Sequence, residues 1–315
     1  MKRYNYNPQL RGPGPGPDTG TMGVMLKPYI AWCNLVNSIS CRLYKAGEGV
    51  TMRSIRVPVQ NAEIPCYVFV PQGGAAVKPA VLYFHGGGFM MQIFPMILDV
   101  AVHIARELDA VVFLPQYRTT PKYKYPIPVL DCYHTLEYVA QNASKLGVDG
   151  QKLLLYGDSA GGCLATETAH MVRDKNGPAL LGQVLVYPVT DVETKYPSHS
   201  EYEFAAFSKK AEQVMWNLYL DGVSMGTAEY YAPLHNKNFA DLPPAYIEVA
   251  EMDTLRDGGL AYAEKLRQAG VYVEETTVPG AYHGYDGEMD TELVQQSFKQ
   301  RFTRMKKMLA GTYHQ

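Results

Sequence analysis

Three clusters in this chain hold residues whose types and spacing could do chemistry: a serine between two glycines, a histidine followed by three glycines, and a late histidine preceded by an acid. Gly157-Asp158-Ser159-Ala160-Gly161-Gly162 follows the apolar run Leu153-Leu154-Leu155-Tyr156 and opens a helical pattern. On a tight strand-to-helix turn, neighbours two positions either side of the serine must lack bulk for the backbone to close, and the serine oxygen is then presented at a helix N-terminus. The plainer alternative is a glycine-rich turn that only packs helix on sheet. His85-Gly86-Gly87-Gly88-Phe89 follows a second apolar run. Consecutive glycines let main-chain amides approach an oxygen closely, which the developing oxyanion of acyl transfer requires. A phosphate loop is the competing explanation, but no Gly-Lys-Ser/Thr follows and no Gly-x-Gly-x-x-Gly is present.

A serine nucleophile needs a base, and the base needs a carboxylate to orient it. His283 lies in Pro279-Gly280-Ala281-Tyr282-His283-Gly284-Tyr285, a loop between the last strand pattern and the last helix pattern. The other histidines read as less suited. His103 and His170 fall within helices, His134 shares a helical face with Leu130 and Glu137, His199 and His235 lie in a strand-free interval, and His314 is in the tail. For the acid, Asp253 emerges at the carboxyl end of an apolar run. Asp257 reads as support for the next helix N-terminus, and Asp191, after another run, is the rival.

The elements that must position these residues follow from hydrophobic periodicity. Strands are expected over 50–59, 64–70, 80–84, 110–114, 152–156, 183–187, 246–250 and 271–277. Helices are expected over 97–108, 129–145, 161–173, 259–269 and 292–309, with helix-like spacing over 22–44. Apolar strands without polar alternation, separated by helix-sized segments, imply a mostly parallel sheet of about eight strands covered on both faces. Residues 50–315 form that α/β domain. Its rhythm breaks between 191 and 242, where helical patterns at 202–207 and 213–220 are rich in aromatics. An insertion near 192–242 at a strand's carboxyl end, with the N-terminal 1–49, predicts a helical cap over the site. A Pro/Gly stretch at 13–17 reads as an extended lead-in.

Composition bounds the function. Apolar residues are 47% of 315 and charged residues 19%, enough for a large core. Twenty-nine Lys+Arg against 31 Asp+Glu leave no basic excess for phosphates, so nucleic acid is not an expected partner. The polar start lacks a secretory h-region, and the apolar stretch 22–39 is broken by Lys27, Pro28, Asn34 and Asn37, so no membrane span is expected. Five scattered cysteines without a CxxC pair suggest reduced thiols, no zinc site and a cytoplasmic protein.

Over residues 50–310 the chain resembles the hormone-sensitive-lipase-like family of α/β-hydrolase esterases. The resemblance rests on His85-Gly86-Gly87-Gly88, Gly157-Asp158-Ser159-Ala160-Gly161-Gly162, Asp253 with Leu255-Arg256-Asp257, His283-Gly284, and Gln116-Tyr117-Arg118. It implies Ser159 as nucleophile, His283 as base, Asp253 as its orienter, and the amides of Gly87, Gly88 and Ala160 as the oxyanion hole. It also implies no metal or organic cofactor, a small-molecule ester substrate, and a homodimer through an edge strand or the last helix. Two departures touch substrate preference. Phe89-Met90-Met91-Gln92 lacks the small residues often found after the glycines, and Tyr285 stands where the family usually has Phe. Tyr117, Arg118 and Asp131 read as structural.

The expected reaction is serine carboxylesterase hydrolysis of short- to medium-chain acyl esters. Phe89, Met90, Met91 and Phe94 beside the glycines, with Phe204, Phe207, Met215 and Trp216 from the insertion, are the expected apolar lining. A non-catalytic small-molecule-binding homologue, and an amidase or deacetylase using the same three residues, are the alternatives.

Overall fold

The computed structural model describes residues 4–14, 17–224 and 228–313. Strands β1 (Val50–Val59) and β2 (Ala62–Pro71) form a hairpin through a tight turn, with Asn61 in the left-handed region at φ 59°. Short apolar runs then alternate with helices: β3 (Lys78–Phe84), α2 (Pro95–Leu108), β4 (Val111–Pro115), α3 (Ile127–Gln141), α4 (Ala143–Leu146), β5 (Val148–Asp158) and α5 (Ala160–Asp174). After β6 (Gly182–Val186) come α6 (Pro197–Glu201) and α7 (Lys209–Tyr219), then β7 (Ala245–Met252), α8 (Arg256–Gln268), β8 (Val273–Tyr282) and α9 (Glu292–Leu309). Helix α1 (Leu26–Leu43) precedes them all.

The eight strands make one sheet in the order β1-β2-β4-β3-β5-β6-β7-β8. β2 runs antiparallel to both its neighbours and every other pairing is parallel. The central strands are buried along their length, as a sheet covered on both faces demands. One apolar layer gathers α3, α5 and α8; the other gathers α2 and α9. Each parallel strand ends at the same edge, and there β3, β5, β7 and β8 deliver the glycine loop, the serine, Asp253 and His283.

Three expectations change, the first being that residues 279–282, read as loop, are the end of β8, so that His283 directly follows a strand. The pattern over 129–145 is two helices, α3 and α4, divided at Asn142. The helix expected over 202–207 is absent: a one-turn helix forms earlier, over Pro197–Glu201. Ser208 caps α7 from an extended conformation (φ −79°, ψ 156°), its side chain accepting from the Ala211 amide, and a capping residue cannot sit inside a continuing helix. Among the described residues no helix is long and apolar enough to cross a membrane. His314, and Pro15 and Gly16 of the lead-in, lie outside the described residues.

Candidate active site

Ser159 sits between β5 and α5 at φ 52°, ψ −122°, a conformation side chains rarely adopt. The motif's glycines explain how it is held. A Cβ on Gly157 would lie 2.2 Å from the Gly161 carbonyl oxygen, and one on Gly161 only 1.9 Å from that of Phe84. The Ser159 amide donates to the Val186 carbonyl at 2.9 Å, so the elbow is pinned to the neighbouring strand.

The Ser159 Oγ lies 2.9 Å from His283 Nε2, and His283 Nδ1 lies 2.7 Å from Asp253 Oδ2. The other Asp253 oxygen accepts the Leu255 amide at 3.1 Å, which fixes the carboxylate's rotation. Asp253 is fully buried and Ser159 nearly so. Burial opposes the charged imidazole of His283, but the charge and hydrogen bond of Asp253, helped by Asp158 and Asp286, outweigh it and raise its pKa. Burial also pushes the Asp158 carboxyl up to about 7, the Asp286 charge adding to it, against hydrogen bonds from Tyr83 and the Gly86 amide and the pull of His283.

The glycine loop closes against the elbow. The Gly86 amide donates to Asp158 Oδ2 at 3.0 Å. Gly87 takes φ 112°, and its carbonyl accepts from the amides of Met90 and Met91. The amides of Gly87, Gly88 and Ala160 have no acceptor among the described residues, and Ala160 opens α5 beside the serine.

A cavity of about 260 Å³ opens onto Ser159 and His283. Its walls include Gly87, Gly88, Met90, Met91, Phe94, Met96 and Phe207. Four residues expected on this lining are not on it, among them Trp216, which is buried against Phe89 and Tyr219. Phe89 is wholly buried beneath the loop, its ring stacked on Tyr219 at 4.0 Å, because φ 59° at this position turns it into the core. Met215 is wholly buried and packs behind Gly88. Phe204 is 56% exposed, on the turn that replaces the expected helix.

The rival acid Asp191 is occupied elsewhere, accepting from Tyr196 and lying 2.9 Å from His235 Nε2. Asp257 accepts the Ser198 amide at 2.8 Å. Asp131 holds Arg118 by accepting from its guanidinium at 2.6 and 2.9 Å and from its amide at 2.9 Å, and the Tyr117 hydroxyl donates to the His85 carbonyl at 2.7 Å.

Several residues at the site escaped sequence reasoning. Pro17, Asp18 and Thr19 of the lead-in line the cavity. Tyr187 lines it too, its ring 4.7 Å from that of His283. Its hydroxyl bonds Asp286, which is held by the buried Arg301 of α9. One signal was available. Val294, Phe298, Arg301, Met305 and Met308 form a single buried helical stripe, and a charge on such a stripe needs a buried partner.

A doubly covered, mostly parallel sheet with a serine on the strand-to-helix elbow defines an alpha/beta hydrolase. A family model described as alpha/beta hydrolase fold matches residues 81–286, and the chain belongs to this family, within its hormone-sensitive-lipase-like esterases. It is 37% identical over 214 residues to Esterase LipI of Mycobacterium tuberculosis, covering 67% of each chain. It is 35% identical over 228 residues to Carboxylesterase NlhH of the same species, covering 71% of each. Among solved structures, Bacterial Heroin Esterase superposes with a TM-score of 0.83 at 28% identity, covering 94% of both chains.

Proposed function

We propose that this chain is a serine carboxylesterase that hydrolyses short- to medium-chain acyl esters through an acyl-enzyme. The observation that carries the reading is the unbroken hydrogen-bond chain Ser159–His283–Asp253 at the wall of a cavity. The esterase relatives favour it over a non-catalytic binding protein.

His283 Nε2 takes the Ser159 proton as Oγ attacks the ester carbonyl. Asp253 holds the imidazole in the tautomer with its proton on Nδ1 and stabilises the imidazolium. The carbonyl oxygen, now negative, is received by the amides of Gly87, Gly88 and Ala160. Collapse expels the alkoxide, which leaves as alcohol with the proton from His283 Nε2. Water then gives a proton to the same nitrogen and attacks the acyl carbon, and breakdown returns the proton to Oγ and releases the acid.

The cavity, with Met90, Phe94 and Phe207 on its wall, falls just below the range of roughly 300–1,000 Å³ usual for ligand pockets, which favours small acyl groups. The described residues of the two non-sheet pieces, 1–49 and 192–242, form the cap. Asp18 accepts from the Ser208 hydroxyl at 2.8 Å, and Gly20 lies so close to Lys210 and Ala211 that a Cβ there would clash. Asn34 of α1 donates to the Met90 carbonyl and accepts from the Gln92 amide. Five unpaired cysteines fit a reducing cytoplasm, and an edge strand of the sheet or the last helix is the surface for pairing with a second copy.

The test is hydrolysis of 4-nitrophenyl esters from acetyl through octanoyl to palmitoyl, with Ser159→Ala beside the wild type. Activity highest on the shorter esters and lost in the variant is expected. A folded but inert wild type, or a rate that climbs steadily to C16, overturns the reading.

A further inference from the structure

Beneath His283, on the side away from the cavity, lies a group of buried charges that the reaction above does not use. Arg301, on α9, is 0% exposed. All three guanidinium nitrogens are engaged. Nε and Nη2 donate to Glu248 Oε1 at 3.0 and 2.5 Å, Nη1 donates to Asp286 Oδ2 at 2.8 Å and to the Tyr156 hydroxyl at 3.1 Å, and Nη2 also reaches the Tyr285 hydroxyl at 3.2 Å. Tyr285 in turn donates to Glu248 Oε1 at 2.5 Å, a bond that the phenylalanine usual in the family could not make.

These partners come from the strand that leads to the acid and from the turn that follows the base. Glu248 is on β7, whose carboxyl end carries Asp253; Asp286 is on the loop three residues past His283. The second oxygen of Asp286 accepts the Tyr187 hydroxyl. Tyr187 has φ 35°, rare for a residue with a side chain, and its amide donates to the Glu248 carbonyl at 2.6 Å. Its ring then rests against the imidazole of His283.

We propose that Arg301 is a positioning residue for His283: by clamping Glu248 and Asp286 together it fixes the spacing between β7 and the turn that follows His283, and through Asp286 and Tyr187 it sets the floor on which the imidazole rests. The chemistry favours this over a purely stabilising role. Burying one guanidinium with two carboxylates is costly, and a well-packed apolar cluster is often as stable. The planar fork spans two carboxylates in a fixed geometry that a lysine cannot reproduce. Rotation of the imidazole by even a fraction of an ångström at Nε2 lowers the fraction of productive contacts with Ser159.

The inference rests on the esterase reading for its kinetic readout but not for its spectroscopic one. Asp286→Asn, Tyr187→Phe and Arg301→Lys are compared with wild type and with Arg304→Gln, a change one turn along α9 at a partly exposed pair with Glu274. With 4-nitrophenyl acetate, Asp286→Asn and Tyr187→Phe are expected to lower kcat by about 10- to 100-fold with KM within about twofold, and Arg304→Gln to match wild type. Arg301→Lys, which keeps the charge without the fork, is expected to fall between. In the same folded proteins, without substrate, the low-field proton NMR signal of His283 Nδ1–H is expected to shift or broaden in Asp286→Asn and Tyr187→Phe. Folded variants with wild-type kcat and an unmoved signal overturn the proposal, as does a loss in KM alone or an equal loss in Arg304→Gln. A wild type inert toward esters would overturn the esterase reading, while the NMR signal would still decide this one.

Discussion

The two sides of His283 are built from opposite materials. Above it, Phe207 stacks on the imidazole at 5.0 Å and the cavity wall is rich in methionine and phenylalanine. Below it, Asp286, Arg301, Glu248 and Tyr285 form a hydrogen-bonded floor closed to solvent, joined to the imidazole through Tyr187, whose ring reaches the cavity wall. Dispersion and apolar burial are non-directional, so the upper side sets shape and keeps water out while leaving room for exchange among similar side chains. A buried charge cluster tolerates no missing member, because each unpaired group keeps its full desolvation cost. Substrate choice therefore belongs to the upper side and alignment of the base to the lower.

The largest effect that would break this comparison is in stability. Glu248→Ala leaves Arg301 with Asp286 as its one carboxylate, and urea unfolding is expected to show a loss of about 3–5 kcal/mol. A loss comparable to an ordinary surface change would mean that the floor is wet. The pH profile is the next test, because it sets the two sides against each other. Burial favours neutral imidazole, while Asp253, Asp158 and Asp286 favour imidazolium, and the carboxylates prevail. A raised pKa means the proton is held to higher pH, so the base is lost sooner on acidification. The acid limb of kcat/KM is expected above 6.5, the ordinary histidine value. A limb below it would show burial to be the stronger influence. The smallest effects concern the upper side. Phe207→Ala is expected to change the relative kcat/KM for butyryl and acetyl esters by up to about 10-fold, and Phe204→Ala to leave that ratio unchanged. Equal effects of the two would mean that the turn at 202–207 closes over the substrate.

The depth to which the sequence could be read follows how local each cause is. The eight strands were legible because a doubly covered sheet writes each one as a short apolar run, and the elbow because its glycines answer a steric demand within five residues. The insertion was less legible. Tyr202-Glu203-Phe204-Ala205-Ala206-Phe207 has helix-like composition, yet Ser208 caps the following helix and the aromatics divide, Phe204 to solvent and Phe207 to His283. Phe89 misled in the same way, since proximity in sequence to the glycines did not reveal that a positive φ would bury it.

By itself the sequence determined the layered sheet, the order of its strands and helices along the chain, and the presence of a serine turn and a glycine loop at strand ends, because these depend on periodicity and on sterics between near neighbours. Only the tertiary structure decided which strands lie side by side, which side chains face the cavity, that residues 17–19 wall it, and that an arginine on the last helix sits under the histidine loop. Those outcomes depend on contacts between residues tens to hundreds of positions apart, and the favourable energy of a buried charge exists only once its distant partners have closed around it.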